Sequence, residues 1–279
     1  MNKSPRRIVL ILKKIGFLRD KKAIQGDLPE MIFWTRFCKY LLKEIFGGRS
    51  VQFKDALGYQ YVSPPNNLSS LLTFLHGYRD PAIYRFYSQW IREGDTVIDV
   101  GANVGTHLFQ MAGLASDGLA LAFEADPEIC LYLDEGMHKN GFENVILRNC
   151  AISRERGGLA LNRNMGNRGL TSVKQTQQFR GLTVSSSTLD EEVKMLCPDA
   201  TISLIKIDVE GHEKEVLLGA SSILKQTERL AIVMEHFGGD GADAPRILLD
   251  NGFTPHLVTS TGELESVTNG VGDNIVWIK

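Results

Sequence analysis

One stretch limits the folds open to this 279-residue chain more than any other: Val97-Ile98-Asp99-Val100-Gly101-Ala102-Asn103-Val104-Gly105-Thr106. The run 96–100, mostly β-branched and apolar, predicts a short strand, and 106–115 suits a helix. Only a turn with two glycines separates them. In a sheet built from such steps the ligand crevice lies beyond the carboxyl ends of the strands. Gly101 and Gly105 let the backbone pass close to a ligand, and the helix start offers free N–H groups to an anion.

From residue 95 onward, strand and helix alternate. Strands are expected at 119–123, 145–147, 203–209, 230–234, 254–259 and 274–278, with helices at 128–140, 213–225 and 244–249. Repeated units of this kind imply an α/β fold with a mostly parallel sheet covered by helices on both faces. With 96–100 the sheet has seven strands. The link between the last two runs through turns around Gly262 and has no room for a crossover helix, so the last strand is antiparallel. Residues 153–192 are polar and irregular, with strand-like pieces at 159–161 and 182–184, and read as an insertion over the sheet.

The net charge of −2 hides an asymmetry. Residues 1–94 carry 16 Lys and Arg against 7 Asp and Glu, and residues 95–279 carry the remaining 15 against 26. This divides the chain into a basic N-terminal extension, 1–94, and an acidic domain, 95–279. Within the extension, 30–46 reads as an amphipathic helix, 51–62 as a hairpin, and a helix starts after Pro81. His76 and Tyr78, beside Gly77 in a loop, are candidates for a lid.

Residues 1–22 hold eight Lys and Arg and one acid, with Ile8, Ile11, Leu12, Ile15 and Leu18 at helical spacing. They form either an interfacial helix on an anionic membrane or a solvated basic tail. No apolar run approaches the ~20 residues of a membrane span, nor the apolar core of a signal peptide. Four separated cysteines without a CxxC fit reduced thiols, and the expected location is cytoplasmic, with peripheral membrane contact through 1–22 in the first of those readings.

Two nucleoside cofactors use a glycine turn of this type. A dinucleotide wants two further glycines, to clear the pyrophosphate and to pack the helix, where this chain has Asn103 and Thr106. S-adenosylmethionine has no phosphate. Asp99 can meet its ammonium, the helix start its carboxylate, and Glu124, ending the second strand, its ribose diol. The residues favour S-adenosylmethionine.

The sequence also resembles the FkbM family of class I methyltransferases. The residues that carry the resemblance are Gly94-Asp95 leading into 97–105, Phe123-Glu124-Ala125-Asp126-Pro127, Asn149-Cys150-Ala151-Ile152-Ser153, Thr188-Leu189-Asp190, and Ile205-Lys206-Ile207-Asp208-Val209-Glu210-Gly211-His212-Glu213. It runs from about Asp80 to about His236 and does not obviously include the first 70 or so residues. The resemblance implies a Rossmann-like methyltransferase that acts on oxygen, commonly a hydroxyl of a sugar, glycan or secondary metabolite. It would set Asp99, Gly101, Asn103 and Gly105 along the methionine end, Glu124 at the ribose, Asn149 to Ala151 along the adenine, and Asp208 facing the methyl. Ala125-Asp126 departs from the Pro that is frequent after the acid, and His212 fills a slot that varies.

Methylating a hydroxyl requires a group that takes its proton. Asp208, Glu210 and His212 are the catalytic candidates, with Glu213, Glu235 and His236 nearby. Helix-capping roles for Glu210 and Glu213 stay open. Asp208, Glu210, Glu235 and His236 could instead gather Mg²⁺, a reading no ligand spacing supports. Lys206, inside a strand, needs a partner such as Asp190 or Glu235. Arg163, Arg168 and Lys174 could meet an anionic substrate. The expected partner is a small-molecule, glycan or lipid-linked acceptor and not a nucleic acid, since the acidic half repels phosphate. An amine or protein acceptor, or a binding protein with a retained cofactor site, are the alternatives.

Overall fold

The alternation after residue 95 closes into one large sheet in the computed structural model, which describes residues 28–162, 172–173, 182–226, 229–236, 243–267 and 272–279. Residues 1–22, Arg163, Arg168, Lys174 and the side chain of His236 lie outside the described residues. The extension contributes α1 (Glu30–Phe46), the hairpin β1 (Val51–Lys54) and β2 (Gln60–Ser63), α2 (Leu68–His76) and α3 (Pro81–Trp90). Next come β3 (Thr96–Val100), α4 (Leu108–Leu114), β4 (Leu119–Phe123), α5 (Pro127–Asn140) and β5 (Val145–Arg148). The insertion holds β6 (Ala151–Ile152), β7 (Gly157–Asn162), β8 (Ser172–Val173) and β9 (Leu182–Ser187), followed by α6 (Leu189–Leu196). The chain continues through β10 (Ile202–Ile207), α7 (Glu213–Leu218), α8 (Ser221–Gln226), β11 (Ala231–His236), α9 (Asp243–Asp250), β12 (Thr254–Val258), β13 (Leu264–Ser266) and β14 (Gly272–Ile278).

The large sheet runs β13-β12-β14-β11-β10-β3-β4-β5. From β5 to β11 every pairing is parallel, while β14 is antiparallel to both β11 and β12. All seven expected strands are present, and β13 adds an eighth at the edge. It arises because the link around Gly262 folds back on itself as a hairpin with β12. The insertion makes its own four-stranded sheet, β6-β9-β7-β8.

Strand residues alternate between the faces of the large sheet, and each face has its own core. Val97, Ala120, Ala122, Leu204, Ala231, Val233 and Val276 join one cluster with side chains of α1 to α5 and the β1–β2 hairpin. Ile98, Val100, Leu121, Phe123, Ile205, Ile207 and Trp277 join another with α6 to α9. The extension therefore caps one face. Tyr61 of β2 stacks on Phe109 of α4 at 5.1 Å, and Phe53 of β1 stacks on Tyr61 at 5.1 Å. By parity, Asp99 and Lys206 lie on this extension-covered face, directly opposite one another across β3 and β10.

Two helices differ from expectation. The loop expected around His76 is the end of α2, which Asn67 caps by accepting the Ser70 N–H at 3.0 Å, with Gly77 in the left-handed conformation after it. The helix expected over 213–225 breaks after Leu218. A side chain at Gly219 would collide with the Ser153 carbonyl, and Asp190 restarts the helix by accepting the Ser222 and Ile223 N–H groups at 2.8 and 3.1 Å. Asp190 is thereby a cap for α8 and not the partner of Lys206.

Candidate active site

A cleft opens where the carboxyl ends of β3, β4, β10 and β11 meet the extension and the insertion, as the topology of such sheets dictates. It encloses about 1080 Å³ of empty space, open mouth included, which is ample for a nucleoside-sized ligand. The turn after β3 forms its floor. Gly101 and Ala102 donate to the Phe123 carbonyl at 2.8 and 3.1 Å, which binds the turn to the end of β4. Gly101 has a φ of 85°, and a side chain there would strike the Asp208 carbonyl, so glycine lets the β3 and β10 ends close on each other. Gly105 serves packing: a Cβ would sit 2.7 Å from the Phe109 ring and 2.9 Å from Leu133. It was expected to line the ligand, and it is not among the residues bordering the cleft.

Asn103 and Glu210 both border the cleft with positive φ, 51° and 55°. A non-glycine residue in that region is uncommon and clusters at functional sites. The Asn103 N–H donates to Glu124 Oε2 at 2.8 Å, and the Asp126 N–H donates to Glu124 Oε1 at 2.8 Å. Asn103 Oδ1 in turn accepts from Asn67 Nδ2 at 2.8 Å. A line of hydrogen bonds thus runs from the cap of α2, in the extension, to the acid after β4.

Five carboxylates border the cleft: Asp99, Glu124, Asp208, Glu210 and Glu235. Asp99 and Glu124 are buried, and that burial pushes each up to about 7. For Asp99 the Lys206 ammonium works against the rise, while Asp208 and Glu124 add to it. Burial followed by Asp208, Glu235 and Glu213 raises Glu210, with Arg79 opposing, and solvent contact at the rim moderates that rise. Lys206 is 1% exposed; its Nζ lies 3.8 Å from Asp208 Oδ2 and makes no hydrogen bond. Asp208, which was not among the expected partners, is thus one that Lys206 meets.

Two histidines border the cleft. His212, at the start of α7, places Nε2 3.0 Å from Ser153 Oγ, and burial lowers its pKa. His107 is buried with Nδ1 3.3 Å from the Tyr87 hydroxyl, and burial, then Lys206 and Arg79, lower its pKa. Among the described residues no three His, Cys, Asp or Glu side chains gather as metal ligands.

The structure thus brings Asp99, Gly101, Asn103, Glu124, Ala151, Asp208, Glu210 and His212 to one cleft. Asn149 differs from its expected position along the adenine. Its amide donates to the carbonyls of Glu124 at 2.8 Å and Ala125 at 3.2 Å, bracing the turn behind the site. Tyr78 stacks on Tyr84 at 5.5 Å, and neither it nor His76 borders the cleft; their neighbour Arg79 does. Leu68, Ser69, Arg79 and His107 are cleft residues that sequence reasoning passed over.

The chain is 29% identical to the hexuronic acid methyltransferase AglP of Haloferax volcanii over 175 residues, covering 62% of this chain and 69% of that protein. It is 25% identical to methyltransferase 1 of Beauveria bassiana over 177 residues, covering 56% of this chain and 71% of that one. A solved structure, the precorrin-6y C5,15-methyltransferase of Geobacter metallireducens, is 15% identical with a TM-score of 0.42, over 71% of this chain and 84% of that one. The family model of the methyltransferase FkbM domain matches residues 99–255, which include every strand end bordering the cleft. That match spans more than half of the sequence, so this chain belongs to the FkbM methyltransferase family and is an adenosylmethionine-dependent methyltransferase.

Proposed function

We propose that the chain methylates a hydroxyl group of a sugar-type acceptor, free or carried on a glycan or lipid. The observation that carries the cofactor side of this reading is the chemistry of the cleft floor. Two buried carboxylates, Asp99 and Glu124, face a cavity without a hydrogen-bonded cation beside them, and each is raised to about 7. A ligand that is cationic and bears a diol relieves that burial; a pyrophosphate would meet five carboxylates at close range. The residues therefore fit S-adenosylmethionine.

In this reading Glu124 holds the ribose hydroxyls, and its backbone donors Asn103 and Asp126 fix the carboxylate for that task. Asp99 meets the ammonium, Gly101 and Asn103 border the methionine end, and Ala151 borders the base. Asn149 acts one step removed, as a positioning residue. When bound, S-adenosylmethionine supplies a methyl group activated by its sulfonium, with a neutral thioether as leaving group. The protein's share of the rate is then mainly orientation. Asp208, held by Lys206, orients the acceptor hydroxyl. Glu210, whose pKa is raised, gains proton affinity to receive its proton, and His212, whose pKa burial lowers, is the weaker acceptor.

The name of the Haloferax volcanii relative supports a sugar acceptor. Arg79 adds a second reading. It borders the cleft and makes no hydrogen bond or ion pair among the described residues, so its planar fork is available to an acidic group on the acceptor. An acidic sugar offers both a hydroxyl and a carboxylate to the methyl. Labelled-methyl transfer to neutral and uronic acid sugars, followed by mild alkali, tests both readings. A label that survives alkali is a methyl ether and supports the hydroxyl; a label released by alkali is an ester and overturns it. Transfer to proteins alone would overturn the sugar reading.

A further inference from the structure

Helix α1 is apolar on two sides. Phe33, Phe37 and Tyr40 are buried in the core shared with the large sheet. On the opposite side, Met31, Trp34, Cys38, Leu42 and Phe46 follow one another at helical spacing and are exposed, Met31 by 79%, Leu42 by 52% and Phe46 by 81%. A surface helix of a globular protein normally turns a polar face outward. Elsewhere among the described residues, large exposed apolar side chains occur singly: Leu131, Leu182, Met195, Leu218, Leu249 and Leu257 lie on six different elements. Single ones need no explanation, but a contiguous stripe marks a contact surface.

The charges around the stripe identify the contact. Lys39 and Lys43 follow Cys38 and Leu42 directly on the helix, and Arg49 follows its end. The two acids of α1 are engaged: Glu44 is buried and accepts the Asn66 N–H at 2.9 Å, and Glu30 accepts the Trp34 indole N–H at 3.3 Å. The chain before α1 is strongly basic, with eight Lys and Arg against two acids in residues 1–27. Apolar side chains including Trp and Phe, flanked by cations, are what an anionic bilayer surface attracts. No helix among the described residues is long and apolar enough to cross a membrane.

We propose that the outer face of α1 is a docking surface for an anionic lipid bilayer, with Met31, Trp34, Leu42 and Phe46 inserted and Lys39 and Lys43 at the headgroups. The inner face of α1 packs on α2, whose Leu68 and Ser69 border the cleft. The proposal stands on α1 alone and does not need the sugar reading.

The test uses the full chain with phosphatidylcholine vesicles, with and without phosphatidylglycerol. The variant Met31→Gln/Leu42→Gln/Phe46→Gln changes exposed positions only and should melt as the parent does. It should partition onto phosphatidylglycerol vesicles on the order of 100-fold less than the parent. Lys39→Glu/Lys43→Glu should lose about tenfold on those vesicles and almost nothing on neutral ones. A parent that fails to sediment with vesicles overturns the proposal, and so does a triple variant that partitions like the parent. Sedimentation velocity adds a third outcome against it: if the parent is a dimer and the triple variant a monomer, the face belongs to a second copy of the chain.

Discussion

Replacing Asp99 by Asn should stabilise the ligand-free protein while crippling it as an enzyme. Asp99 is 2% exposed, and burial moves its pKa from the ordinary 3.8 to about 7. The folded state thus holds this proton more tightly than the unfolded state does. For an acid raised in this way, stability falls as pH rises through the window between about pH 4 and pH 7, and stays low above it. A shift of about 3 units at about 1.4 kcal/mol each sets an upper bound of about 4 kcal/mol on the cost of its charge at neutral pH. Asn avoids that cost at nearly the same size. Part of the gain is returned, because Lys206, opposite in the sheet, loses a neighbouring anion. The net expectation is about 1–3 kcal/mol in favour of the variant above pH 7, shrinking towards zero near pH 4. Urea denaturation of parent and variant across that range reads the difference directly. In parallel, titration with S-adenosylhomocysteine should show affinity reduced on the order of 100-fold, as a charged hydrogen bond is lost. A variant less stable than the parent at every pH, or one that binds S-adenosylhomocysteine as well as the parent, would refute the reasoning.

Substitutions at three other positions test other parts of the site. Glu124→Ala should weaken S-adenosylhomocysteine binding on the order of 100-fold, measured by isothermal titration; an unchanged affinity removes Glu124 from the ribose. Asp208→Asn should abolish turnover in the labelled-methyl assay while S-adenosylhomocysteine affinity changes by less than about tenfold, and normal turnover would take Asp208 out of the reaction. Asn67→Ala should cost about 1 kcal/mol of stability by removing the cap of α2, whereas Asn67→Ser keeps the cap but is too short to reach Asn103. If the bridge to Asn103 steadies the turn, both variants bind S-adenosylhomocysteine more weakly than the parent, and only the first melts clearly earlier.

Strand ends and turns were the legible parts of the sequence. Each expected strand of the large sheet is a short apolar run bounded by glycine or polar residues, and burial on both faces selects such runs. Asp99, Gly101, Asn103, Glu124 and Asp208 could be read because they sit at or just beyond those ends, where chemistry concentrates. The strand β13 was illegible because Leu264-Glu265-Ser266 carries almost no pattern and exists only through its pairing with β12. The break after Leu218 depends on the close approach of Ser153, a tertiary contact. For α2 the signals are present, with Asn67 before a leucine-rich run and Gly77 after it. Arg79 and His107 were missed for a different reason: nothing in their local sequence separates a cleft residue from a solvated or packed one.

Three of the four missed cleft residues, Leu68, Ser69 and Arg79, belong to the extension, and that says something about its work. A detached basic module would leave the large sheet with its own cover and the cleft with its own walls. Instead, Tyr61, Phe53 and Phe33 complete the core over one face of the sheet, the face from which Asp99 and Lys206 project. Tyr87 of α3 meets His107 beneath the cleft, Arg79 and Ser69 border it, and Asn67 holds Asn103, whose backbone holds Glu124. Two charged residues buried at the centre of a parallel sheet demand a cover that supplies polar contacts without admitting bulk water. The extension meets that demand on its inner side, and the apolar stripe of α1 lies on its outer side. We therefore read residues 28–94 as part of the catalytic unit, one surface shaping the acidic cleft and the other directed at whatever carries the acceptor.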